Sequence, residues 1–139
     1  MKTALVVAVC WLAGLTLADT VPALATPCPS SAETTHLQLL GLWRATFDGS
    51  ARGATLLLER HPELADSVRG AINRDGERSL VAGDVDDGEF TLEESADGVK
   101  IEATWSGTVI DGSCGLEIRG DWRGAKDSAS RAFVLRKLQ

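Results

Sequence analysis

The clearest pattern in the chain is an alternation of apolar and polar positions between Val99 and Arg123. Every second residue of Val99–Val109 is apolar or glycine, and the residues between them are polar. After a break at Asp111–Cys114, the alternation resumes over Leu116–Trp122. A period of two is typical of a β-strand with one buried and one solvated face. The stretch therefore predicts an antiparallel hairpin whose connection contains an Asp-Gly turn.

The two strands of this hairpin can pair in two registers, which place the tryptophans differently. In the first, Trp105 lies opposite Gly120, and Ala103 lies opposite Trp122. In the second, the two tryptophans face each other and Gly107 faces Gly120. Close packing favours a large residue beside a small one in each layer. We therefore expect the first register.

Similar patterns predict strands along the whole chain from residue 41 onward. The predicted strands are Gly41–Phe47, Ala54–Arg60, Ser67–Arg74, Arg78–Val85, Glu89–Glu94, Val99–Ile110, Gly115–Arg123 and Arg131–Lys137. Five of the seven connections contain Asp-Gly, which is favoured in hairpin turns because both residues tolerate positive φ. No connection is long enough to hold a crossover helix, so parallel βαβ units are excluded.

Eight short antiparallel strands in succession predict an all-β fold. A single eight-stranded up-and-down β-barrel is the architecture we expect, because closure leaves no exposed strand edge. Glycines within the predicted strands fit the strong coiling that closure requires. A two-sheet β-sandwich is the alternative.

The first 25 residues are typical of a secretory signal peptide. Lys2 supplies a positive start, Ala4–Ala18 is apolar and uncharged, and Ala23–Ala25 has the small-x-small form of a cleavage site. Cleavage after Ala18 is a second possibility. The sequence thus predicts a signal peptide over 1–25, an N-terminal tail over 26–40 with a short helical turn, and a barrel domain over 41–138. We expect a periplasmic or secreted protein with no membrane anchor after cleavage.

The cysteines fit export. Cys10 would leave with the signal peptide, so the exported chain would keep Cys28 and Cys114. An even number of cysteines in an oxidising compartment predicts a disulfide. Both residues are expected at the same end of the barrel. Closing a loop of this length stabilises a fold by roughly 4 to 5 kcal/mol in the chain-entropy model. A metal site is a weaker interpretation, since no histidine pair accompanies the cysteines.

Composition narrows the class of partner. The chain has 139 residues, of which 44% are hydrophobic and 24% charged, as expected for one soluble globular domain. Its formal net charge of −6 argues against nucleic acid and anionic membrane surfaces as partners. The remaining candidates are a protein partner of unknown identity and a small apolar ligand.

Motifs for catalysis are lacking in the sequence. The acidic run Asp84–Glu89 is superficially similar to a calcium loop, but its glycine is one place early and the twelfth-position glutamate is missing. His36 and His61 are interpreted as surface residues. No nucleophile motif or phosphate loop is present. We therefore expect a protein that is not an enzyme and that holds neither a metal nor another cofactor.

Gly41-Leu42-Trp43 resembles the G-x-W motif that opens the first strand of the calycins. That superfamily includes lipocalins, avidins and small periplasmic metalloprotease inhibitors. The resemblance implies an eight-stranded barrel in which a basic residue of the last strand covers the tryptophan. Arg136 is the residue expected to form this barrel-closing cation–π contact with Trp43, worth roughly 0.5 to 2 kcal/mol.

The segment Ala103–Gly107, followed by Trp122, is similar to the avidins. Trp105 and Trp122 match two indoles of that family, although their spacing is one residue longer here. The biotin site is not retained, because alanines at 45 and 103 replace two polar positions and the chain has no tyrosine. Each missing hydrogen bond would cost about 1 to 3 kcal/mol.

Two classes of function remain open from sequence. A ligand carrier would use the apolar residues expected to face inward, namely Trp43, Phe47, Ile72, Phe90, Trp105, Ile118, Trp122 and Leu135. Against this, an eight-stranded barrel is narrow enough to be filled by its own side chains. The second class is an interaction module, such as an inhibitor that acts through its N-terminal tail, as the resemblance to the periplasmic inhibitors implies.

Overall fold

The structure, a computed structural model, describes residues 27–139. The predicted signal peptide and Cys10 lie outside the described residues. In this part of the chain, one short helix, α1 (His36–Leu39), precedes eight strands. The strands are β1 (Gly41–Phe47), β2 (Ala54–Arg60), β3 (Ser67–Arg74), β4 (Glu77–Asp86), β5 (Glu89–Ser95), β6 (Ala103–Val109), β7 (Glu117–Gly124) and β8 (Ser130–Lys137).

The eight strands form a closed antiparallel barrel, as predicted. Each strand pairs with the next along the chain, and β8 pairs with β1 to close the sheet. Trp43 lies opposite Lys137 and Phe47 opposite Phe133 in the closing pair. The all-β, up-and-down architecture is therefore confirmed, and the sandwich alternative is wrong.

Asp-Gly turns end several of the strands in the expected way. In the β3–β4 and β4–β5 turns, both residues have positive φ, with Asp75 at 52° and Gly76 at 94°, and Asp87 at 48° and Gly88 at 80°. This conformation matches the twist of a two-residue hairpin. In the other three Asp-Gly pairs only the glycine has positive φ.

The predicted bounds of β1, β2 and β3 agree with the structure, whereas β6 and β7 are shorter than predicted. The carboxylate of Asp97 accepts hydrogen bonds from the backbone N–H groups of Val99 and Lys100, both at 2.8 Å. This local turn takes the start of the predicted strand out of the sheet, so β6 begins at Ala103.

The expected register of the β6–β7 hairpin is wrong. Trp105 lies opposite Trp122 and Gly107 lies opposite Gly120. The connection is wider than predicted, since the N–H of Ile110 donates to the carbonyl of Glu117. The space left by the Gly107–Gly120 pair is filled by Phe133 of β8, whose ring lies 3.1 Å from the position that a Cβ on Gly107 would take.

The interior of the barrel is filled by large apolar side chains. Eleven from the strands are at most 2% exposed, namely Trp43, Leu56, Leu58, Val68, Ile72, Phe90, Leu92, Trp105, Ile118, Phe133 and Leu135. Phe47 and Trp122 are partly buried and pack against this core. An eight-stranded barrel is just wide enough for such filling.

The N-terminal tail closes one end of the barrel. Cys28 and Cys114 form a disulfide with a Cα–Cα distance of 4.8 Å, so both cysteines lie at this end. Thr35 caps α1 in a capping box, and Leu39, the last residue of the helix, is fully buried. The indole N–H of Trp43 donates to the carbonyl of Leu39 at 2.7 Å. We call this the closed end.

The basic residue over Trp43 is Lys137, and the prediction of Arg136 is wrong. The Lys137 ammonium lies 5.8 Å from the Trp43 ring centroid and donates to the carbonyl of Gln38 at 2.6 Å. Arg136 lies on the outer face, where its Nε contacts the Glu117 carboxylate at 3.0 Å. Since Leu135 points inward, alternation along β8 turns Arg136 outward and Lys137 inward.

Within residues 27–139, no helix has the length and hydrophobicity needed to cross a membrane.

Candidate functional site

The end of the barrel opposite α1 is the candidate functional site. It carries the β1–β2, β3–β4, β5–β6 and β7–β8 connections, and we call it the open end. The closed end is occupied by the tail and the disulfide. Inward-facing side chains near the open end are therefore not covered by the tail or by α1.

A buried carboxylate lies at the open end. Glu94 follows Phe90 and Leu92 on the inward face of β5, and only 5% of the residue is exposed. Arg74 is the last residue of β3 and lies on its inward face. Its guanidinium forms a bidentate ion pair with the Glu94 carboxylate. The Nη2 atom of Arg74 lies 2.8 Å from Oε2 of Glu94, and Nη1 contacts Oε1. Bidentate geometry of this kind is among the stronger charged contacts in proteins.

Two indoles complete the environment of this carboxylate. The Nε1–H groups of Trp105 and Trp122 both donate to Oε2 of Glu94, each at 3.3 Å. The register that sets these tryptophans opposite each other brings both donors to one oxygen. The Glu94 carboxylate thus accepts four hydrogen bonds. This buried charge is both paired with Arg74 and hydrogen-bonded by the two indoles.

Burial and hydrogen bonding act on Glu94 in opposite directions. Burial raises the pKa of the carboxyl, but the hydrogen bonds and charge of Arg74, together with the two indole donors, lower it more. The net effect is a pKa below the ordinary value of 4.5. Glu94 is therefore ionised at neutral pH, which suits a structural anion better than a general acid.

Aromatic rings surround the guanidinium of Arg74. Its Cζ atom lies 5.7 Å from the Phe47 ring centroid, 5.8 Å from that of Trp105 and 5.6 Å from that of Trp122. Arg131 lies 5.9 Å from the Trp122 centroid. Trp122 thus makes cation–π contacts with two arginines. Together these residues form the floor of the open end.

A pocket of about 410 Å³ opens above this floor. Its size is within the range of small-molecule sites. Two aromatic rings, three arginines and two carboxylates line it, from Phe47, Trp122, Arg52, Arg74, Arg131, Asp75 and Glu77. The pocket therefore offers flat apolar faces beside fixed charges.

Several hydrogen-bond donors in this pocket have no partner among residues 27–139. A guanidinium has five N–H groups, and Arg74 uses two of them on Glu94. Arg131 makes no ion pair within residues 27–139. Arg52 contacts Asp75 at 3.5 Å, but both side chains are more than half exposed, so this pair is weak. An incoming acceptor group would find free donors here.

The residues predicted from sequence to face inward divide between the two ends. Phe47, Trp105 and Trp122 meet at the open end, with the Phe47 ring 5.4 Å from Trp105 and 6.3 Å from Trp122. Trp43 lies at the closed end beneath α1. The other four are buried in the core, namely Ile72, Phe90, Ile118 and Leu135.

Sequence reasoning missed Arg74 and Glu94, which form the centre of the site. Both continue the inward alternation of an otherwise apolar strand face, after Ile72 in β3 and after Leu92 in β5. A charged residue at an inward position near a strand end is the available signal. The two signals occur on different strands and have opposite signs, which indicates a pair.

The other sequence candidates have local structural roles. Asp84 accepts a hydrogen bond from the Thr91 hydroxyl at 2.9 Å, and Asp87 forms the β4–β5 turn. His61 Nδ1 accepts from the backbone N–H groups of Glu63 and Leu64. Within residues 27–139, no cluster of three or more His, Cys, Asp or Glu residues is placed to hold a metal.

In comparisons with known proteins, no family model matches the chain, and no curated protein matches it. The eight-stranded antiparallel barrel fits a calycin-like fold.

Proposed function

We propose that this protein is an exported, non-catalytic binding protein that takes a small ligand at the open end of the barrel. The observation that carries the proposal is the pocket floor, where Phe47 and Trp122 present ring faces beside the guanidinium of Arg74. The Cys28–Cys114 disulfide is consistent with an oxidising, exported location.

The ligand is a compact molecule with a planar apolar part and a carboxylate or similar anionic acceptor. The planar part fits the faces of Phe47 and Trp122. The acceptor fits the unused N–H groups of Arg74 and the guanidinium of Arg131, which flank the same indole. Asp75 lies in the β3–β4 turn and Glu77 begins β4, and both side chains are exposed to water.

Two other functions have less support. A carrier that encloses an apolar ligand needs interior space, and the interior positions are filled by buried side chains. An inhibitor that acts through a free tail needs a projecting segment. Residues 27–40 are instead held on the barrel by the Cys28–Cys114 disulfide, by α1 and by the hydrogen bond from Ser31 to Asp111.

The proposal is tested by calorimetry with probes of matched shape and different charge. Naphthalene-2-carboxylate should bind with a Kd on the order of 1 mM or tighter, as for a small fragment. The neutral 2-naphthylmethanol should bind at least about tenfold more weakly, and 2-naphthylmethylammonium more weakly still. Equal binding of the three probes would contradict an anionic ligand, and no binding by any of them would contradict the pocket.

A pair of variants locates the binding. Arg131→Gln removes a guanidinium at the rim of the pocket that makes no ion pair within residues 27–139. This change should raise the Kd for naphthalene-2-carboxylate by about three- to tenfold. Arg60→Gln changes an exposed arginine at the far end of β2 and should leave the affinity unchanged. Equal effects of the two variants would show a general charge effect rather than a site.

A further inference from the structure

One carboxylate and one guanidinium that line the open-end pocket make no ion pair within residues 27–139. They are Glu77 and Arg131. The other charged residues that line the pocket are in ion pairs, Arg52 with Asp75 and Arg74 with Glu94. The pocket therefore presents one negative and one positive group that a ligand could pair.

Strand pairing turns both of these side chains toward the pocket. Glu77 lies opposite Arg74 in the β3–β4 pair, and Arg131 lies opposite Trp122 in the β7–β8 pair. Residues that lie opposite each other on neighbouring strands share one face of the sheet. Arg74 and Trp122 are on the inward face, since both donate hydrogen bonds to the buried Glu94. Glu77 and Arg131 therefore occupy inward positions at the open ends of their strands.

The two charges belong to opposite walls of the barrel. In the closed ring of eight strands, β4 and β8 are separated by three strands in either direction. Phe47 on β1 and Trp122 on β7 belong to the two strands that flank β8. The aromatic rings therefore adjoin the wall that carries Arg131, and Glu77 belongs to the wall across the pocket.

We propose that the ligand of the open end is a zwitterion, a planar aromatic molecule with a carboxylate at one end and a protonated amine at the other. This inference rests on the proposed function and adds the amine to it. The carboxylate pairs with Arg131, the ring system covers Phe47 and Trp122, and the ammonium pairs with Glu77. An α-amino acid carries both charges on one carbon, so it does not match charges on opposite walls.

Calorimetry with two isomeric zwitterions on the disulfide-bonded protein tests this ligand class. The first probe, 6-(aminomethyl)naphthalene-2-carboxylate, has its charges at opposite ends of the ring system. It should bind about two- to fivefold more tightly than naphthalene-2-carboxylate, as expected for one added ion pair with an exposed side chain. The second probe, 3-(aminomethyl)naphthalene-2-carboxylate, has the same composition but adjacent charges, so it should show no such gain.

Binding of naphthalene-2-carboxylate without a gain for the first isomer would overturn the zwitterion and leave the proposed function standing. Equal gains for the two isomers would overturn the placement of the charges across the pocket. Failure of all three probes to bind would overturn the open-end site itself.

Glu77→Gln assigns the amine to its partner. This variant should raise the Kd for the first isomer by about two- to fivefold. It should move the Kd for naphthalene-2-carboxylate in the opposite direction, because it removes a like charge from the pocket. Glu89→Gln is the matched control at the closed end and should leave the Kd of both probes unchanged. A Glu77→Gln variant that weakens both probes equally, or one that behaves like Glu89→Gln, would overturn the proposal.

Discussion

Replacing Glu94 with glutamine should destabilise the barrel, because the change removes one charge from a buried pair and alters little else. Breaking a buried ion pair by removing one partner costs about 3 to 5 kcal/mol. The Arg74 side chain is 30% exposed, so water partly solvates the guanidinium left behind. We therefore expect a loss of about 2 to 4 kcal/mol in the free energy of unfolding. The amide oxygen of glutamine can still accept from an indole.

Urea unfolding followed by tryptophan fluorescence measures this loss. Arg74→Met should lower the free energy of unfolding by a similar amount. The double variant Arg74→Met/Glu94→Gln should lower it by about 2 kcal/mol less than the sum of the two single losses. Glu89→Gln is the control on the same strand, because Glu89 is exposed; it should change stability by less than about 0.5 kcal/mol. The reasoning is refuted if Glu94→Gln behaves like Glu89→Gln, or if the double variant shows no coupling.

The same variant gives a dependence on pH. The folded pKa of Glu94 is lowered below 4.5, so its ionised form stabilises the fold fully above that pH. The contribution is lost as the pH falls through the lowered folded value. The stability difference between the native protein and Glu94→Gln should therefore be constant near neutral pH and shrink under acidic conditions. A difference that grows on acidification would contradict the assignment.

Three further changes test the rest of the fold. Reducing the Cys28–Cys114 disulfide should lower the melting temperature by at least about 15 °C, since the bond closes a loop with a sequence separation of 86; a shift of a few degrees would contradict this. Lys137→Met should cost about 1 to 2 kcal/mol in urea unfolding and Arg136→Met less than about 1 kcal/mol, and the reverse order would contradict the contact with Trp43. Gly120→Ala should cost at least about 3 kcal/mol, because its Cβ would overlap the Ser106 carbonyl and the Gly107 Cα; a neutral effect would contradict the register.

The barrel could be predicted from sequence because its signals are local. Alternation defines strands, and Asp-Gly marks turns, so the order and direction of all eight strands followed from patterns within a few residues. The closed end followed from the position of Cys28 before β1 and of Cys114 between β6 and β7. These inferences required no knowledge of how side chains meet in three dimensions.

The register of β6 and β7 and the centre of the site required contacts between distant strands. Volume matching between two strands chose the wrong register, because Phe133 on a third strand fills the space beside Gly107. Once the two indoles are opposite each other, both can donate to Glu94. The choice between Arg136 and Lys137 was a matter of alternation along β8 and could have been predicted correctly.

The most direct test of the open-end site is an NMR titration that follows the indole N–H signals. Adding naphthalene-2-carboxylate should shift the signals of Trp122 and Trp105, which lie at the floor of the pocket. The signal of Trp43 should stay in place, because its N–H is bonded to Leu39 at the closed end. A titration that shifts Trp43 and leaves Trp122 unchanged would contradict the account.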